Sequence, residues 1–136
     1  MNIIEKIDNN FFFKELFPSG IEGDIFVGNI ELRTDKRMFV DIHTTQKPNK
    51  EIKKWGVWGG NYNTIVIEIL IDSIKKSEII NWQKAKPCQI QFSYEENLFS
   101  ILFSGNDWYI FIKADAMLFQ RCSVYINSME DDEQQV

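Results

Sequence analysis

The sequence predicts an α+β fold that is mainly antiparallel β, with seven or eight short strands and one N-terminal helix packed on the sheet. Three observations carry this. Apolar residues alternate with polar ones at a period of two over most of the chain after Gly23. Turn-forming clusters interrupt that alternation about every ten residues. Only one early stretch shows apolar spacing of three and four, the period of a helix. At 136 residues without an internal repeat, the chain suits one ordinary core, assigned to residues 1–127.

The helix is expected over Asn9–Phe17. Asp8, Asn9 or Asn10 can cap its start, and Pro18 with Gly20 ends it. Phe12 and Leu16, joined by Phe13 and Phe17, supply a buried face. Ile3, Ile4 and Ile7 either extend the helix or form a separate turn. Ile30–Arg33 and Met38–His43 then alternate on either side of Thr34–Arg37, the pattern of a hairpin. Thr44–Lys54 reads as an exposed polar loop. The segment NTIVIEILID follows, with Ile65, Ile67, Ile69 and Ile71 on one face. Val66, Glu68 and Leu70 make the other face mixed. Further strands are expected at Glu78–Trp82, Cys88–Tyr94, Leu98–Ser104, Trp108–Lys113 and Cys122–Asn127. Glu95-Glu96-Asn97 and Gly105-Asn106-Asp107 read as turns. Ala114–Gln120 reads as a bulge or a short helical turn.

Composition narrows the function classes. Hydrophobic residues make up 44% and charged residues 26%, a balance typical of globular domains. MNIIEKIDNNFFFKELF lacks a basic region ahead of an apolar run, so no signal peptide is expected. No run approaches the roughly eighteen apolar residues of a membrane span, and no membrane association is expected. Cys88 and Cys122 are few and far apart, which suits buried thiols in the cytoplasm. The net charge is −5, but Glu130-Asp131-Asp132-Glu133 hold four of the twenty acids. The remaining sixteen acids nearly balance the fifteen bases, leaving −1. Residues 128–136 therefore read as an acidic, solvated tail, or as an arm for a basic partner. No basic run exceeds two residues, which argues against nucleic-acid binding.

No chemical motif stands out. His43 is the one histidine, and Asp41 lies two residues before it on the same strand face. Such a pair can orient an imidazole base, but no nucleophile signature accompanies it. One His and two distant Cys do not make a zinc set, and no calcium loop is present, so no metal or cofactor is expected. Gly56, Gly59 and Gly60 precede a strand, whereas phosphate-cradling glycines open a helix.

The stretch KKWGVWGGNYN, Lys53–Asn63, holds two of the four Trp and three of the seven Gly. Trp and Tyr on glycine-rich loops suit recognition, because they present large area at low entropic cost. The bland reading has one or both indoles capping the core while Gly59-Gly60-Asn61 turns the chain. Trp58, with Trp55 and Tyr62, is the recognition candidate.

The order of FFFKELFP, the hairpin GNIELRTDKRMFVDIHT, a Trp loop leading into YNTIVIEILI, IINW, and the paired CQIQFSYEENLFSILFSG resembles the immunity protein 50 family of bacterial polymorphic toxin systems. The resemblance spans residues 10–125. The acidic, Pro-preceded aromatic element expected after the first helix is represented only by Pro18 and Asp24. What the resemblance implies is a cytoplasmic, non-enzymatic inhibitor that binds a cognate toxin domain, often a nuclease with a basic face. Asp24, Glu31, Asp35 and Asp41 would then steer the partner, together with the tail. Two other classes remain open. One is a carbohydrate- or small-ligand-binding β module using Trp55, Trp58 and Tyr62. The other is a hydrolase built on Asp41 and His43.

Overall fold

The computed structural model describes residues 3–127. The acidic tail proposed at 128–136 lies outside the described residues. Among the described residues, six antiparallel strands form one sheet in the order β1-β2-β3-β6-β5-β4. They span Ile25–Arg33 (β1), Arg37–Thr44 (β2), Thr64–Ile80 (β3), Gln91–Glu95 (β4), Leu98–Gly105 (β5) and Trp108–Tyr125 (β6). The mainly antiparallel architecture is as expected, but the strand count is six rather than seven or eight.

The difference comes from two long strands. Segments expected as Asn63–Asp72 and Glu78–Trp82 are one strand, β3, apart from Asn63, Asn81 and Trp82 outside its ends. Those expected as Trp108–Lys113 and Cys122–Asn127 are joined through Ala114–Gln120 as β6, apart from Ile126 and Asn127 beyond its end, and the strand expected at Cys88–Tyr94 is β4, which starts only at Gln91. Register shifts at Glu68/Ile69 and Ile74/Lys76 bend the pair without ending the ladder. Ser73 takes a left-handed φ of 56°, and its N–H donates to the Asp72 carboxylate at 2.7 Å. The polar run Asp72–Lys76 is therefore a kink within β3.

β1 and β2 extend the sheet from the first half of β3, while β5 and β4 extend it from the first half of β6. The sheet curls until its edges meet at one point. Ile25 and Cys88 exchange both backbone hydrogen bonds, each 2.8 Å. The result is a partly closed barrel with a gap beyond that bridge.

The concave face is the core. Ile65, Ile67, Ile69 and Ile71 are all at most 2% exposed, as the alternation in NTIVIEILID predicts. The N-terminal segment covers this face. It is a 3₁₀ turn, Ile3–Lys6, followed by a separate helix α1, Phe11–Leu16, so Ile3, Ile4 and Ile7 do not extend the helix. These isoleucines and Phe13, Leu16 and Phe17 are buried against the sheet. Asp8 binds β6 through a parallel bridge to Leu118, on the stretch that β5 does not reach.

Candidate functional site

The loop before β3 is organised around a buried tyrosine. Tyr62 is 1% exposed, with Trp55 and Trp58 packed edge-on against it at centroid distances of 5.8 and 5.3 Å. Phe12 of α1 meets Trp55 at 5.9 Å. Gly56 and Gly59 both need φ near 87°, a conformation that favours glycine. The Asn61 carboxamide accepts the Val57 N–H at 2.8 Å, and Gly59 N–H donates to the Tyr62 carbonyl at 2.7 Å. These bonds fold the loop onto itself. Tyr62 is thus a core residue rather than part of an open aromatic platform. Trp55 and Trp58 are half-buried props around it, and Val57 is the exposed large apolar side chain of the loop, alongside exposed Lys53, Lys54 and Asn61.

The convex face of the sheet carries the polar residues of the β1–β2 hairpin. His43 Nδ1 lies 2.9 Å from the Tyr125 hydroxyl, and Phe26 stacks edge-on against the imidazole. Gly28 lies beneath the ring, where a Cβ would overlap it. Burial depresses the His43 pKa, because desolvation disfavours the cation. Asp41 is directly across from Glu68 on β3. Burial, then repulsion from Glu68, hold its carboxyl above the usual aspartate value. Glu68 is paired with Arg121 at 3.1 Å. The Asp41–His43 pair does share a strand face, but the imidazole's hydrogen bond is to Tyr125.

The other acids expected to steer a partner are dispersed. Asp24 is exposed ahead of β1. Asp35, at the hairpin tip, is held by Arg37 and by Arg33. The hydrogen bond from Arg37 lowers its pKa first. Glu31 is exposed and alternates with Ile30 and Leu32, so it faces the convex side with its partner Phe39.

An open apolar surface lies on the concave side, in the gap of the barrel. Val27, Ile30 and Leu32 of β1 face Ile79, Trp82 and Ala85 across a groove of about 350 Å³, with Ile110 beneath. Trp82 is 65% exposed and Leu32 62% exposed. Sequence reasoning placed Trp82 at a strand end and gave it no role. Its presentation is local. Asn81 adopts a left-handed φ of 52°, turning the chain out of β3 into the 3₁₀ turn Trp82–Lys84. Asn tolerates this conformation better than most residues. The flanking polar run, Asn81 and then Gln83-Lys84-Ala85-Lys86-Pro87, was the available signal for an exposed indole.

Among the described residues, no group of three or more His, Cys, Asp or Glu is arranged to hold a metal ion. No helix there is long and apolar enough to cross a membrane. Comparison with known proteins finds no matching family model, curated protein or solved structure.

Proposed function

We propose that the chain is a non-enzymatic binding protein of the immunity type, which neutralises a bacterial toxin domain in the cytoplasm by stoichiometric contact. The observation that carries the reading is Trp82, 65% exposed at the lip of an apolar groove. Indoles in such settings are favoured anchors of protein interfaces. An apolar surface held open by a rigid sheet is a feature of interaction sites. The resemblance to the immunity protein 50 family supports the partner class. The site differs from the one the aromatic loop suggested, because Trp55 and Trp58 pack edge-on against the buried Tyr62.

The direct test is protection. Co-expression with the toxin domain encoded beside this gene restores growth of a toxin-poisoned cell if the reading is right. Continued killing, at chain levels equal to or above those of the toxin, would sink it.

A further inference from the structure

We infer that the partner engages the groove by strand addition, laying an extended segment along the free edge of β1. The inference rests on the binding reading above and deepens it by naming the mode and chemistry of contact.

β1 ends the strand order, and its other neighbour is only the single bridge from Ile25 to Cys88. Among the described residues, no backbone hydrogen bond closes the outer edge of residues 27–33. An open strand edge is a template for another chain. The register shift between Val27 and Asn29 breaks β1 into two runs paired with β2, of which Asn29–Arg33 is the longer. Along that run the side chains of Ile30 and Leu32 point into the groove. A chain paired there would send its own alternate side chains toward Ile79, Trp82 and Ile110. The groove therefore selects an extended segment with apolar residues at every second position. Its volume is at the bottom of the range for small-molecule pockets, and it is open along one side, as a strand requires.

Charge selects further. Lys84 and Lys86 follow Trp82 and are exposed, and neither forms an ion pair among the described residues. They line a second depression with Gly105 and Trp108. Lys36 is likewise exposed and unpaired at the opposite, hairpin end of β1. Of the nearby carboxylates, Asp35 and Glu78 are already held by Arg37 and Lys76, Glu31 faces the convex side away from the groove, and Asp24 is exposed just before β1. The cations at both ends of the run leave the occupant to supply carboxylates. The favoured segment is thus a partner strand with an apolar alternation and acidic ends.

A synthetic peptide of alternating Val and Thr with Glu at each end is the probe, titrated against the isotope-labelled full chain. Amide shifts and slowed hydrogen exchange are expected at residues 29–33, together with a shift of the Trp82 indole. Replacing the terminal Glu by Lys should weaken binding about fivefold, the effect of reversing a few exposed charge pairs. Trp82→Ala should weaken it about tenfold or more. The side chain is mostly exposed, so the variant's unchanged amide spectrum elsewhere serves as the fold control. No shift at 29–33 up to millimolar peptide overturns the inference, as does an equal response to a peptide with Pro at its centre. Self-association that protects 29–33 without peptide also overturns it, since a second copy then fills the edge. Peptide binding without protection from the toxin removes the immunity reading alone. Protection undiminished in Trp82→Ala removes the groove alone.

Discussion

The Asn81 side-chain amide donates to the Asp107 carbonyl at 2.7 Å. This bond ties the turn that presents Trp82 to the β5–β6 turn on the neighbouring hairpin. The exposed indole is thereby held on two fixed elements. Asn81→Ala should cost about 1–2 kcal/mol, combining the lost hydrogen bond with a left-handed residue that alanine resists. Asn81→Gly should recover the conformational part but not the bond. Urea denaturation of the three proteins gives the order wild type, Gly, Ala. Equal losses for both variants would mean that the left-handed backbone of Asn81 contributes nothing.

Gly28 and His43 form a second coupled pair. Gly28→Ala places a methyl within the imidazole, and the ring must leave the Tyr125 hydroxyl to make room. The expected cost is about 1–3 kcal/mol. It should largely vanish in the background His43→Ala, where the space is free. A double-mutant cycle measures this coupling. Additive losses would show that Gly28 serves its own backbone rather than the ring.

The loop aromatics and Trp82 should separate in a stability scan. Tyr62→Ala removes a fully buried ring and should cost about 3–5 kcal/mol, in the range for large aromatic truncations. Trp82→Ala should change stability by about 0.5 kcal/mol or less, as exposed sites do. Thermal unfolding of both variants checks the contrast. A small effect at Tyr62 would reopen the loop as a recognition site.

Stability should depend on pH through Asp41 and His43 in opposite senses. The folded His43 pKa is depressed. Its contribution is complete above the ordinary value of 6.5 and is lost as pH falls through the folded value. The folded Asp41 pKa is raised. Its contribution is complete below the ordinary value of 3.8 and is lost as pH rises through the folded value. Asp41→Asn should therefore stabilise the protein at neutral pH, with the gain shrinking on acidification. His43→Gln should flatten the loss of stability that sets in as pH falls below the ordinary value of 6.5. Denaturation curves from neutral pH down into acid show both slopes. A destabilised Asp41→Asn at neutral pH would contradict the desolvation and Glu68 repulsion assigned to the carboxylate.

The periodicity of the sequence was a good guide where the ladder is regular and a poor one at the bends. Inward positions fall two apart through Ile65, Ile67, Ile69 and Ile71, and there the expected strand matches the observed one. The spacing then becomes three from Ile71 to Ile74 and from Ala114 to Met117, where β3 and β6 kink together. A phase change of that kind looks like the end of a strand in one sequence. The partner that keeps it paired lies some forty residues away. The hairpin turns were legible because they are local. Lys36, Glu96, Asn97 and Asp107 all take positive φ within the expected turns. The candidate site was less so. Indoles at Trp55, Trp58 and Trp82 look alike in sequence, and only the packing of Tyr62 and the gap beside β1 distinguish props from an exposed side chain.

On the proposed function, Trp82 anchors a protein partner while the aromatic loop serves the fold. Calorimetric titration of an inactivated toxin domain into the chain and its variants tests this most directly. One-to-one binding is predicted, weakened about tenfold or more by Trp82→Ala and nearly unchanged by the exposed loop substitution Val57→Ala. Binding unaffected by Trp82→Ala but lost with Val57→Ala would contradict it.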